Sequence, residues 1–150
     1  MNAWYLLSYQ ARIYKKVMSG LEGLNIECYS PKRTTLQKRA DKKNSFRKRE
    51  QPLFDGYMFV NFDPEDVHTT EITQRPGVNY FVRFGKEPKQ VPDGIIDALK
   101  MEEFKHFSSP DNDNYIHKVP MDVQSLVSGI HLGEDSNIRV KELLEYLHVA

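Results

Sequence analysis

Two runs in the middle of the chain limit its folding choices most. In Tyr57-Met58-Phe59-Val60-Asn61-Phe62 and Val78-Asn79-Tyr80-Phe81-Val82-Arg83-Phe84, large apolar side chains recur at every second position. A period of two is the mark of a β-strand, whose successive side chains point to opposite faces. Tyr57 and Phe59 share one face of the first run, and Tyr80, Val82 and Phe84 share one face of the second. Large apolar groups also fall on the alternate positions. Two outcomes fit: a sheet buried on both faces, which needs no partner, or one covered by helices on one side that binds something with the other. A short polar segment with His68-Thr69-Thr70 separates the runs.

The flanking chain supplies the rest of such a sheet. Trp4-Tyr5-Leu6-Leu7-Ser8-Tyr9 reads as a first strand. Residues 11–22 read as a helix, with Ile13, Val17 and Leu21 at i, i+4 and i+8 forming its apolar stripe. Gly20 and Gly23 prepare the end of that helix. Ile26–Ser30 reads as a second strand, stopped by Pro31. After the first central run, the acids from Asp63 to Asp66 suit a helix start, giving a short helix over 65–74. A longer helix follows from Asp93 as N-cap, with Ile95, Ile96 and Leu99 inward, running to Phe107. Residues 108–114, SSPDNDN, read as a linker. Beyond them lie two weaker helical patterns, near Met121–Val127 and over Ile138–His148. The second carries Val140, Leu143, Leu144 and Leu147 on one side and Ser136 or Asn137 as its cap. The expected class is α+β: an antiparallel sheet flanked by helices over 1–107, then a short helical segment over 115–150.

Charge is the second informative feature. The chain holds 21 basic and 21 acidic residues, and this neutrality conceals a polarised distribution. Residues 32–49 contain nine Lys or Arg against Asp41 alone, a local charge of +8 that leaves −8 on the remainder. Cations packed so closely repel one another unless phosphates or counterions neutralise them, so nucleic acid is the expected partner. The tract over 32–50 reads as two ragged hairpin arms, anchored by Leu36 and Phe46, or as a loop. Lys38, Arg39, Lys42, Lys43 and Arg47 are its candidate phosphate contacts. Arg12, Lys15 and Lys16 lie off the apolar stripe of the first helix and are either plain solvated charge or further phosphate contacts.

Catalytic machinery has no basis in the residues. No nucleophile stands with a base, no glycine-rich phosphate loop occurs, and the five histidines are scattered. Cys28 is the single cysteine, so an internal disulfide and a cysteine metal cluster are excluded; it reads as a small core thiol. Neither a cofactor nor a metal is expected. Without a membrane-length apolar run or a signal-like start, the expected location is the cytoplasm.

Pro52-Leu53-Phe54-Asp55-Gly56-Tyr57-Met58-Phe59-Val60 resembles the PLFPGYVFV signature of the NusG-like N-terminal domain. Trp4-Tyr5 and Pro76-Gly77-Val78 fall where that family has its WY and PGV elements. The stretches Phe62-Asp63-Pro64-Glu65, His68-Thr69-Thr70 and Phe81-Val82-Arg83-Phe84-Gly85 look closer to its operon-specific branch, RfaH. The similarity spans roughly residues 2–100.

That resemblance implies a transcription elongation and antitermination factor, monomeric, bound to RNA polymerase. Phe54, Tyr57, Phe59 and Phe84 would meet the polymerase clamp helices, and His68, Thr69 and Thr70 the gate loop on the opposite jaw. RfaH also reads the non-template DNA strand with basic residues at its first helix. Gln10 and Ala11 stand where it carries such residues, so recognition here would move to Arg12, Lys15, Lys16, Arg75 or the basic tract. Residues 115–150 show no KOW-like glycine-rich core, and ribosome or Rho contacts are therefore not implied. In RfaH the C-terminal part can fold as a helical hairpin that masks the clamp-binding patch. Leu143, Leu144 and Leu147 could cover Phe54, Tyr57 and Phe59 in that manner, or the segment could be an unrelated tail or a degraded barrel. A rival reading from a different class is a general RNA-gripping module whose sheet aromatics stack on bases.

Overall fold

A computed structural model describes residues 1–38, 40–41, 45–107 and 120–150, with side chains for all of these except 36–38 and 104–107. The linker over 108–114 and the residues up to 119 lie outside the described residues, as do Arg39, Lys42 and Lys43.

The strand β1 (Ala3–Tyr9) is the middle of a five-stranded antiparallel sheet. On one side it pairs with β5 (Tyr57–Phe62), from Ala3 opposite Phe62 to Ser8 opposite Tyr57. On its other side two short strands share its length: β6 (Val78–Phe81) along the second half and β7 (Gln90–Val91) along the first. The outer strand β2 (Glu27–Tyr29) pairs with β5. The second central run is thus shorter than its alternation suggests. It breaks after Phe81, and Arg83 makes only an isolated bridge to Pro88 as the chain turns back to β7.

Alternation sorts the side chains cleanly. Leu7, Tyr9, Met58, Val60, Phe62 and Phe81 go to one face, under Val17 and Leu21 of helix α1 (Tyr14–Glu22) and Ile72 of the short helix α2 (Thr69–Thr73). A 3-10 turn over Ala11–Ile13 precedes α1, so the expected continuous helix begins one turn late. Trp4, Leu6, Phe59 and Val82 go to the other face, beneath α3 (Asp93–Phe107). Asp93 stands in the first turn of α3.

Two glycines allow the close approaches this arrangement needs. Gly56 (φ 81°) leads into β5, and its carbonyl accepts from the Tyr9 N–H at 2.9 Å. Gly77 (φ 86°) lies against α1, where a Cβ would come within 2.6 Å of both Ile13 Cδ1 and Val17 Cγ2. An alanine there would meet backbone strain and a steric clash together.

The basic tract forms a separate two-stranded ribbon, β3 (Lys32–Lys38) with β4 (Phe46–Pro52), in unbroken register from Lys32 opposite Pro52 to Lys38 opposite Phe46. Its arms are regular rather than ragged. Phe46 is exposed and anchors nothing.

The C-terminal segment is a pair of helices, α4 (Met121–Leu132) and α5 (Ser136–Val149), joined by a three-residue turn. The cap of α5 is Asp135, not Ser136 or Asn137: its carboxylate accepts from the Asn137 N–H at 2.9 Å. Asp and Asn are both favoured at this position, so composition alone did not choose between neighbours.

Candidate functional site

The face of the sheet carrying Phe59 is the candidate site. Tyr57 and Phe59 project from the same side of β5, and Phe54 enters from the turn just before it. Phe54 meets Phe59 edge to face at 6.3 Å between ring centres, and Tyr29 stacks on Phe59 at 6.2 Å. Trp4 contacts Tyr29 edge-on at 6.5 Å. Such aromatic packing adds to the area term of burial.

Helices close over this cluster. Leu143 and Leu147 of α5, and Val123, Val127 and Ile130 of α4, belong to the same buried core as Phe54 and Phe59. Val140 and Leu144 pack at its margin. Phe59 is 0% and Phe54 1% exposed, whereas Phe84 is 43% exposed and Tyr57 is half-buried beside the exposed Tyr80. Burial, then a hydrogen bond with Tyr80, raises the pKa of the Tyr57 phenol. As the chain stands, the sheet is therefore buried on both faces, and its central rings are closed to any stacking base.

Polar contacts fix α5 at both ends. Arg139 is 4% exposed, and its Nε donates to the Leu53 carbonyl at 2.7 Å. A second nitrogen of Arg139 donates to the Gly133 carbonyl at 2.7 Å, which also accepts from Arg33 of the ribbon at 3.0 Å. Burial lowers the pKa of Arg139, and the nearby charge of Arg33 adds to the effect. The Asp55 N–H donates to Ser136 Oγ at 2.8 Å. At the far end His148 stacks on Phe84 at 4.7 Å, and Lys89 Nζ donates to the Ala150 backbone oxygen. Phe84 thus has a partner on α5 despite its exposure.

The His68-Thr69-Thr70 segment has a structural job of its own. His68 caps α2, with Nδ1 accepting from the Thr70 N–H at 3.2 Å, while the His68 N–H donates to Glu71 Oε2 at 2.9 Å. This reciprocal capping shortens the expected helix 65–74 to 69–73 and leaves His68 and Thr70 exposed at its start. Among the described residues no three His, Cys, Asp or Glu are grouped to hold a metal.

The basic candidates occupy two places. Arg12, Lys15 and Lys16 are exposed around the start of α1. Arg75 is half-buried with its aliphatic stem alongside Gly20 of the same helix, so the structure brings these four to one element. Arg47 is exposed on β4; Lys38 ends β3, with its side chain outside the described residues. The base of the ribbon joins this region through Lys32, whose Nζ lies 4.5 Å above the Tyr14 ring.

Two residues escaped the sequence reading, Arg33 and Arg139. Arg139 had a signal, since Arg139, Leu143 and Leu147 fall at i, i+4 and i+8. An arginine continuing an apolar stripe is a candidate for a buried, backbone-bonded guanidinium.

The family model described as "Transcription termination factor nusG" matches residues 2–100. The chain belongs to the NusG family. Among solved structures, the one described as "Domain interaction in Thermotoga maritima NusG" is similar with 20% identity and a TM-score of 0.44. That likeness covers 69% of this NusG-family chain and 60% of the Thermotoga maritima chain. The matched family region holds the whole five-stranded sheet with α1 and α2 and most of the candidate face, while α4 and α5 lie outside it. This is a family of transcription factors rather than enzymes. No helix among the described residues is long and apolar enough to cross a membrane.

Proposed function

We propose that this chain is an operon-specific transcription elongation and antitermination factor, held inactive by its own C-terminal helices until RNA polymerase takes their place. The observation that supports it most is the shared core in which Leu143 and Leu147 lie with Phe54 and Phe59. In this reading the clamp helices of the polymerase, themselves apolar helical surfaces, replace α4 and α5 over Phe54, Tyr57, Phe59 and Phe84. Buried aromatics at the centre of a contact are typical anchors, and truncating one costs at least about 1–2 kcal/mol of binding.

Action follows from bridging. With the clamp on one side and the start of α2 (His68, Thr69 and Thr70) against the gate loop on the other, the factor binds the closed polymerase better than the open one. A ligand shifts an equilibrium only by such a difference in affinity, and a pause that needs clamp opening becomes less populated. Arg12, Lys15, Lys16 and Arg75 around α1, with Lys38, Arg39, Lys42, Lys43 and Arg47 of the basic tract, hold the non-template strand by its phosphates.

The test compares the full chain with a version ending before the linker. Nuclease-treated polymerase pull-down should capture the shortened chain more strongly, and transcription past a terminator should rise with it. Equal capture of both would dismiss masking. Capture lost on nuclease treatment would instead favour a nucleic-acid-binding module without a polymerase surface.

A further inference from the structure

The ribbon has two unlike faces. Alternation from the observed register puts Arg33 and Thr35 of β3 on one side with Arg47, Arg49 and Gln51 of β4. Lys32 and Thr34 share the other side with Lys48, Glu50 and Pro52. The second side carries a carboxylate, Glu50, and at the base of the ribbon Glu103 of α3 accepts from the Lys32 backbone N–H at 2.5 Å. The first side carries no acid, and among the described residues neither Arg47 nor Arg49 has a carboxylate partner. Arg49 and Arg47 are two residues apart on one strand, and Arg33 is diagonal to Arg49 across the pair. Three guanidinium stems therefore follow one another at steps of roughly 7 Å along an extended ribbon. A row of that kind complements an extended line of phosphates rather than a single compact anion.

Arg33 is distinct within the row, because it already donates to the Gly133 carbonyl between α4 and α5. The same carbonyl holds Arg139. We propose that the Arg33–Arg49–Arg47 row is the ribbon's grip on a single nucleic-acid strand, and that Arg33 sets this grip against docking of the C-terminal helices. This rests on the nucleic-acid reading above and goes beyond it in naming the face and the competition. A phosphate that captures Arg33 withdraws a donor from the corner joining α4 and α5. Strand binding and helix docking then weaken each other by the same factor, as linkage requires.

The experiment uses the full chain and a fluorescent single-stranded DNA 20-mer, titrated by anisotropy from low to moderate salt. The three contacts of the row contribute about −2 to the slope of log K against log salt, or about 0.7 each. Arg33→Gln, Arg47→Gln and Arg49→Gln should each reduce the slope by about that amount, and Lys48→Gln on the other face should leave it. Amide exchange in residues 136–149 should quicken about fivefold when the oligonucleotide saturates the wild-type chain. In Arg33→Gln it should start faster and ignore the oligonucleotide. Equal loss of slope from Lys48→Gln and Arg49→Gln would overturn the assignment of the face. Unchanged or slower exchange on saturation would overturn the competition. No binding by the wild-type chain even at low salt would instead sink the nucleic-acid reading itself.

Discussion

Replacing Arg139 with methionine probes how firmly the C-terminal helices are held. Methionine keeps an unbranched stem of similar reach and removes the donors, so packing of the stem is nearly conserved. Two hydrogen bonds disappear, to the Leu53 and Gly133 carbonyls. Gly133 keeps Arg33 as a donor. The Leu53 carbonyl has no such substitute: Leu53 is fully buried, and an orphaned buried acceptor costs about 1–3 kcal/mol. Opposing this, the variant no longer desolvates a guanidinium, and exchanging a buried charge for an apolar group recovers part of that cost. The net is about 1–2 kcal/mol in favour of undocking, a 5–30-fold rise in the undocked fraction. Native-state amide exchange in residues 136–149 should accelerate by that factor, while amides of β1 and β5 keep their rates. Ser136→Ala, which removes only an exposed contact to the Asp55 N–H, should change exchange less than twofold. If Arg139→Met leaves exchange in α5 untouched while Leu147→Ala speeds it, apolar packing alone holds the helix and the arginine is incidental.

Two further expectations come from buried titrating groups. Burial raises the pKa of Glu103 above its usual 4.5 despite the bond from the Lys32 N–H, so the folded state binds a proton that the unfolded state releases more readily. Its contribution is complete below pH 4.5 and is lost as pH rises through the elevated folded value. Glu103→Gln keeps the acceptor and should raise Tm relative to wild type above that window but not below it; a pH-independent difference would contradict this. Burial, with Glu22 and Glu27 nearby, pushes the Cys28 thiol up to about 11. Iodoacetamide at neutral pH should therefore modify the native protein at least about a hundredfold more slowly than the denatured one, and comparable rates would refute the assignment.

Much of the fold could be read before any coordinates. Alternation identified β5 and the start of the run that forms β6, because a period of two separates side chains onto two faces whatever packs there. The stripe Ile13, Val17 and Leu21 likewise identified α1. Errors gathered where several residues satisfy the same local preference. Asp135, Ser136 and Asn137 can each cap a helix, and His68, which sequence placed inside a helix, became its first turn's cap through Glu71. The family signature around Phe54 to Val60 was legible as a string of residues. The state of its rings was not, since Phe59 projects from the strand identically whether a helix covers it or solvent does.

Sequence by itself settled which side chains share a face, because backbone geometry repeats locally and needs no distant partner. It also fixed the imbalance of charge between residues 32–49 and the rest of the chain. Only the tertiary structure decided what lies on each face. Leu143 and Phe59 are far apart along the chain, and their place in one core reflects burial of apolar area, which is non-directional and leaves no local periodic trace. The same holds for Arg33 and Arg139, two cations converging on the Gly133 carbonyl. Neither charge nor spacing foretells that meeting, since it exists only once the ribbon and the helix pair have been packed side by side.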